Sequence, residues 1–266
     1  MKYDVENILK QHMPSLLDLL GEQRISWTSV NRQLEKHIIA IREEYKLTQT
    51  IIRKDANFHT IIKNKIIGNC QSDGMFDFYN KLFSSLNKIL TKEEKKPIHR
   101  IVKSILTETN KDYLNFIGEL ATLNKFMQTG EYNLGNIEEV IHSDQKITAD
   151  ILLQRKVDKI EVLIEVLNLH LEIKEFENFE SLECYLTSKF NKKISDKKLL
   201  DTNKIIFIQP VVWTIDDKQL KFICEFYSNT HFKIDKVITP MSYITYKNIN
   251  GDYEHRFESI RTIMVD

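Results

Sequence analysis

Apolar residues recur at spacings of three and four through most of residues 1–110, the mark of amphipathic helices. In Val5–Leu20 the recurring positions are Val5, Ile8, Leu9, Leu16, Leu17 and Leu20. Pro14 kinks or divides this segment, because proline lacks the N–H that a helix interior uses. Ser29–Lys54 carries Val30, Leu34, Ile38, Ile41, Tyr45 and Ile52, with Glu and Lys on its other face. Met75–Leu90 is rich in aromatics (Phe76, Phe78, Tyr79, Phe83). Thr91-Lys92-Glu93-Glu94 has the form of a capping box, in which a Thr hydroxyl and a Glu three residues on satisfy free backbone N–H groups. A helix through Ile98, Ile101, Val102, Ile105 and Leu106 follows it. No β-type alternation interrupts this half, so residues 1–110 predict an all-helical domain.

The period changes after about residue 110. Asp112–Met127 is helical and stops at Gly130, a C-cap position. Short β-like runs come next at Ile137–Ile141, Ile147–Leu153 and Ile160–Leu169. A helix at Phe176–Phe190, the apolar strand Lys204–Trp213 and a helix near Lys218–Tyr227 complete the main pattern. Val237–Ile238 and Tyr243–Lys247 read as further strand, with Asn250-Gly251 as a hairpin turn. Residues 111–266 therefore predict a second domain of α/β type with the order αβββαβ, and the whole chain is α+β.

Composition narrows the class. Hydrophobic residues are 42% and charged residues 29%, which suits a packed globular chain. No apolar run approaches the roughly 18 residues of a membrane span, and MKYDVENILKQHM lacks the apolar stretch of a signal peptide. Cys70, Cys184 and Cys224 are widely spaced and fit neither a disulfide framework nor a zinc pattern. A soluble, cytoplasmic protein without a membrane partner is expected. Residues 1–110 hold 18 Lys and Arg against 13 Asp and Glu, and residues 111–266 hold 20 against 25. That asymmetry fits a basic half facing phosphate backbones and an acidic half holding a cation, and equally ordinary surface variation. Gly-rich phosphate loops, HExxH, CxxC and G-x-S-x-G motifs are absent from the sequence.

Three acids stand in positions where charge is costly. Glu119 falls inside the apolar arc of its helix, among Phe116, Leu120, Leu123, Phe126 and Met127. It either meets a cation or donor there, or bends out from the edge of the stripe. Asp150 lies between Ala149 and Ile151-Leu152-Leu153. In residues 159–170 both faces of the strand are largely apolar, so Glu165 sits on a strand buried on both sides. Neighbouring buried carboxylates are explained by a basic partner or by shared ligation of a hard cation such as Mg²⁺.

The string ADILLQRKVDKIEVLIEVLNL, preceded by NFIGELATLNKF, resembles the β-hairpin and preceding helix of the PD-(D/E)xK nuclease superfamily, across roughly residues 111–213. The resemblance implies a restriction-endonuclease-like fold in which Asp150 and Glu165 bind Mg²⁺ or Mn²⁺. The carbonyl of Val166 would complete the site, and Glu119 would act directly or through water. It implies hydrolysis of phosphodiester bonds in nucleic acid, DNA first, in restriction, repair or defence. The family's lysine two residues beyond the Glu is replaced by Leu167. Lys189, in LECYLTSKFNKK, is the candidate to supply it from the following helix, or is a solvated surface lysine. Lys192 and Lys193 read as a solvated helix C-terminus. Asn168 points away from Glu165 by strand alternation, and His170 at the strand end faces either phosphate or solvent.

Two other functions stay open. The fold is catalytically inactive and binds nucleic acid or scaffolds a complex, or the acids simply pair with Arg155 or Lys156 in an interaction module. Long helices such as Ser29–Lys54 serve a homo-oligomer or another protein partner as readily as an internal bundle.

Overall fold

The computed structural model describes residues 3–22, 24–49, 57–68, 73–108, 112–142, 147–171, 176–213, 217–230, 232–234, 237–238, 243–244, 247–249 and 252–260. It is mixed α+β, with the helices mostly toward the N-terminus. The chain divides into two compact units, Met1–Leu120 and Ala121–Asp266.

The first unit is built of helices, with no strand among its described residues. Proline splits the first predicted helix into α1 (Val5–His12) and α2 (Pro14–Leu20), with Pro14 at the start of α2, where its missing N–H costs nothing. α3 runs from Trp27 to Thr48 and ends where Gln49 takes a left-handed conformation (φ 50°). The expected extension to residue 54 reaches residues outside those described. α3 buries Val30, Leu34 and Ile38 but leaves Tyr45 and Leu47 exposed, so its last turns are less covered than the apolar pattern implies. α4 (Phe58–Ile66), capped by the Asn57 side chain, is a helix that the periodicity does not single out. α5 (Asp73–Ile89) and α6 (Lys92–Thr107) follow, and both halves of the Thr91–Glu94 capping box are formed. Phe58, Tyr79 and Tyr113 meet in an aromatic core, with the two tyrosine oxygens 3.1 Å apart. Tyr113 opens α7 (Tyr113–Gln128), and the division between the units falls inside this helix.

In the second unit α7 stops before Gly130 (φ 74°), and the order is then β1 (Tyr132–His142), β2 (Ile147–Arg155), β3 (Glu161–His170), α8 (Phe179–Lys197) and β4 (Ile205–Trp213). α9 (Asp217–Asn229), β5 (Tyr243–Ile244) and β8 (Glu258–Ser259) complete it, while β6 (Lys247–Ile249) and β7 (Asp252–Glu254) pair separately. The expected turn at Asn250-Gly251 lies outside the described residues. The main sheet has the order β1-β2-β3-β4-β5-β8. β1, β2 and β3 are antiparallel neighbours, whereas β3 and β4 are parallel and joined through α8. Register shifts in β1 leave Gly135 and Ile141 without a partner residue on β2.

β3 is buried from Val162 to Leu167, as its two apolar faces require. One face, with Leu167, Leu169, Ile206 and Ile208, forms a single cluster with Leu182, Leu186 and Phe190 of α8 and with Ile223 and Phe226 of α9. Each large apolar side chain buried in this way contributes roughly 1.5–3 kcal/mol. Phe126 of α7 packs edge-on against Tyr132 and at a tilt against Phe207, at 5.8 and 5.7 Å between ring centres. Among the described residues, no helix is long and apolar enough to cross a membrane.

Candidate functional site

The site grows out of the point where β2 and β3 part. Their pairing runs from Gln154↔Glu161 to Ile151↔Ile164 and ends there. The next residues along each strand are Asp150 and Glu165, so strand alternation places both on one face of the sheet. Asp150 occupies the gap itself, accepting the Val166 N–H through Oδ2 at 2.8 Å. Val166 thus stands in the site through its backbone, and its side chain is buried on the opposite face. Glu165, aligned with Ile208 in the parallel β3/β4 ladder, is fully buried beneath α8.

Two lysines from α8 meet the acids. Lys193 Nζ lies 2.7 Å from Glu165 Oε2 and 3.2 Å from Asp150 Oδ2. Lys197 Nζ stands 3.9 Å from a second oxygen of each acid and donates a 2.5 Å hydrogen bond to the Thr148 carbonyl. Lys193 and Lys197 are neighbours on one helix face because they are four residues apart. They continue the buried stripe Leu182, Leu186, Phe190 of the same helix. That continuation was the signal available in the sequence. Read as a local basic run, NKKISDKK looks solvated. Read as the next two turns of an apolar stripe, it puts two lysines against the sheet.

Lys189 is one turn short of this position. It is exposed, with its ammonium 5.5 Å from the centre of the Tyr185 ring, and Lys193 is the residue that meets the acids. Leu167, two residues beyond Glu165, is buried in the apolar cluster under α8. Glu119 is half-buried on α7 within the first unit. Among the described residues, no three His, Cys, Asp or Glu side chains gather closely enough to hold a metal ion together. Arg155 forms an ion pair with Asp158 and Lys156 donates to the Gly130 carbonyl, while the two acids pair with Lys193 and Lys197. Asn168 accepts from the Trp213 indole N–H at 2.8 Å, and His170 stacks on the same indole. One further residue escaped the sequence pattern. Glu138 adopts φ 52° within β1, between Ile137↔Ile151 and Glu139↔Ala149, and so lies across from Asp150. Left-handed backbone is uncommon for a residue with a side chain, and such positions gather near functional sites.

The charges are strongly coupled. Burial pushes the Glu165 carboxyl up to about 7, and the Asp150 charge adds to the rise against the lowering effect of Lys193 and Lys197. Burial pulls Lys193 down, but the two carboxylates outweigh it and hold the ammonium above its usual range. Glu165 makes ionic contacts yet neither of its oxygens has a well-aligned hydrogen bond. Glu165 is fully buried and Asp150 is partly exposed, and their carboxylate oxygens, which face the two lysines, are the donor type that Mg²⁺ or Mn²⁺ takes. No family model, curated protein or solved structure matches the chain.

Proposed function

We propose that the second unit is a metal-dependent phosphodiester hydrolase of PD-(D/E)xK type, acting on nucleic acid and on DNA first. The observation that carries this reading is the Asp150–Glu165 pair on one sheet face with Lys193 between its carboxylates. An Asp, a Glu and a Lys converge there although the sequence lacks the lysine at position 167. The element order α7-β1-β2-β3-α8-β4 also supports it.

In this reading Asp150 and Glu165 would hold the cation, with the Val166 carbonyl as a further ligand. When bound, Mg²⁺ would neutralise charge at the phosphate and make its bound water more acidic. Asp150 is oriented by the Val166 N–H, and Glu165 is fixed by the buried strand. Lys193 supplies the positive charge that meets the phosphate as negative charge develops, the part Leu167 cannot play.

A second reading rests on the same contacts. Two carboxylates facing two ammonium groups form a neutral cluster that fastens α8 to the sheet, and the fold then serves binding or scaffolding. Purified protein tested with Mg²⁺ or Mn²⁺ on plasmid, linear duplex, single strands and RNA separates the two. Under the enzymatic reading, cutting is lost in the Asp150→Ala, Glu165→Ala double variant. It also falls by about 10²–10⁴-fold in Lys193→Met, the usual cost of removing one group that acts on the reacting atoms. Lys189→Met should retain activity. No metal-dependent cutting, or cutting unchanged by these substitutions, leaves the scaffold reading.

A further inference from the structure

The acid pair carries a cation of its own. Lys193 Nζ sits within ion-pair distance of both carboxylates, at 2.7 and 3.2 Å, in the space a divalent ion bound by both would need. Two cations cannot share that space without strong repulsion at low dielectric. The two lysines are anchored differently. Lys197 is tied to the backbone of β2 through the Thr148 carbonyl and keeps a longer 3.9 Å reach to each acid. Among the described residues, the polar contacts of Lys193 are the two carboxylates themselves. Its side chain is 21% exposed, so it has a way out to solvent that leaves α8 in place.

We propose that Lys193 is a displaceable counter-ion. Its ammonium closes the acid pair in the metal-free protein and leaves Glu165 when a divalent cation binds, while Lys197 stays on Thr148 and holds α8 against the sheet. Release from Glu165 frees Lys193 for the phosphate-facing part given to it above. The inference rests on the metal-binding reading of the pair, and does not require turnover.

The test uses the full chain and Mn²⁺ as the probe. Free Mn²⁺ is followed by electron paramagnetic resonance during titration of the wild type, Lys193→Met and the Asp150→Ala, Glu165→Ala double variant. Removing the counter-ion should tighten Mn²⁺ binding by about ten-fold, the factor by which a closed state populated ~90% of the time weakens apparent affinity. Because Lys193→Met also leaves Glu165 without its nearest partner, a second measurement uses the wild type alone. Site-resolved acetylation by an amine reagent should rise several-fold at Lys193 on saturation with Mn²⁺, and stay level at Lys197. Mn²⁺ bound no more tightly by Lys193→Met than by the wild type, or labelling of Lys193 unchanged by bound Mn²⁺, overturns the counter-ion role and leaves the metal site standing. Mn²⁺ bound by neither chain, or equally well by the double variant, overturns both. Binding and displacement without cutting would remove the nuclease reading alone.

Discussion

Burial with a single hydrogen bond makes His59 sensitive to acid. Its Nε2–H donates to the Leu106 carbonyl at 2.9 Å, while Nδ1 is buried without a hydrogen-bond partner. Burial lowers the imidazole pKa below 6.5, partly offset by the Leu106 contact. The unfolded chain therefore takes up a proton that the folded chain resists. The stability due to neutral His59 is complete above about pH 6.5 and is lost as pH falls through the lowered folded value, by at most about 1.4 kcal/mol per unit. Urea midpoints at pH 7 and pH 5 should show a steeper loss in the wild type than in His59→Gln, whose amide keeps a donor for Leu106. Equal losses would assign the acid sensitivity elsewhere. The same principle made Glu165 visible in the sequence: a carboxylate in an apolar strand is conspicuous. Lys193 was concealed, since a lysine among lysines near a helix end has an ordinary explanation in the helix dipole.

At the scale of the element, α8 shows what that local view leaves out. Leu182, Leu186 and Phe190 are spaced for burial, and the positions three and seven residues past Phe190 are Lys193 and Lys197. Periodicity extended to the end of the helix finds them, whereas charge content does not. α4 is faint in the sequence for a different reason. FHTIIKNKI is short, and its start depends on the Asn57 cap rather than on a long apolar stripe. The docking of α8 makes a testable demand on Lys197. Replacing it with Met removes a charged donor to the Thr148 carbonyl, a contact of roughly 1.5–3 kcal/mol. Hydrogen exchange in the last turn of α8 should then quicken, by about ten-fold or more for 1.4 kcal/mol, with the Leu182–Leu186 turn unchanged. Unaltered exchange across residues 193–197 would show that the lysine does not fasten the helix.

For the molecule as a whole, α7 matters because each compact unit draws on it. Tyr113 completes the Phe58–Tyr79 core of the first unit, and Phe126 packs on Tyr132 and Phe207 in the second. A change of period near residue 110 marks where the strands approach, but not which unit a shared helix serves, because Phe and Tyr suit either core. A fragment ending at residue 128 should therefore be more stable than one ending at 110, by about 3 kcal/mol or more for the lost aromatic burial alone. Urea denaturation of the two fragments measures the difference, and equal midpoints would remove Tyr113 from that core. The irregular first strand carries a different consequence. β1 terminates its sheet, where a flat strand would invite pairing with another molecule. Gly135 and Ile141 interrupt its register, and Glu138 turns the backbone the wrong way for a continuous ladder. The misfit that sets β1 off from a regular strand also makes it a poor template for a strand of another molecule.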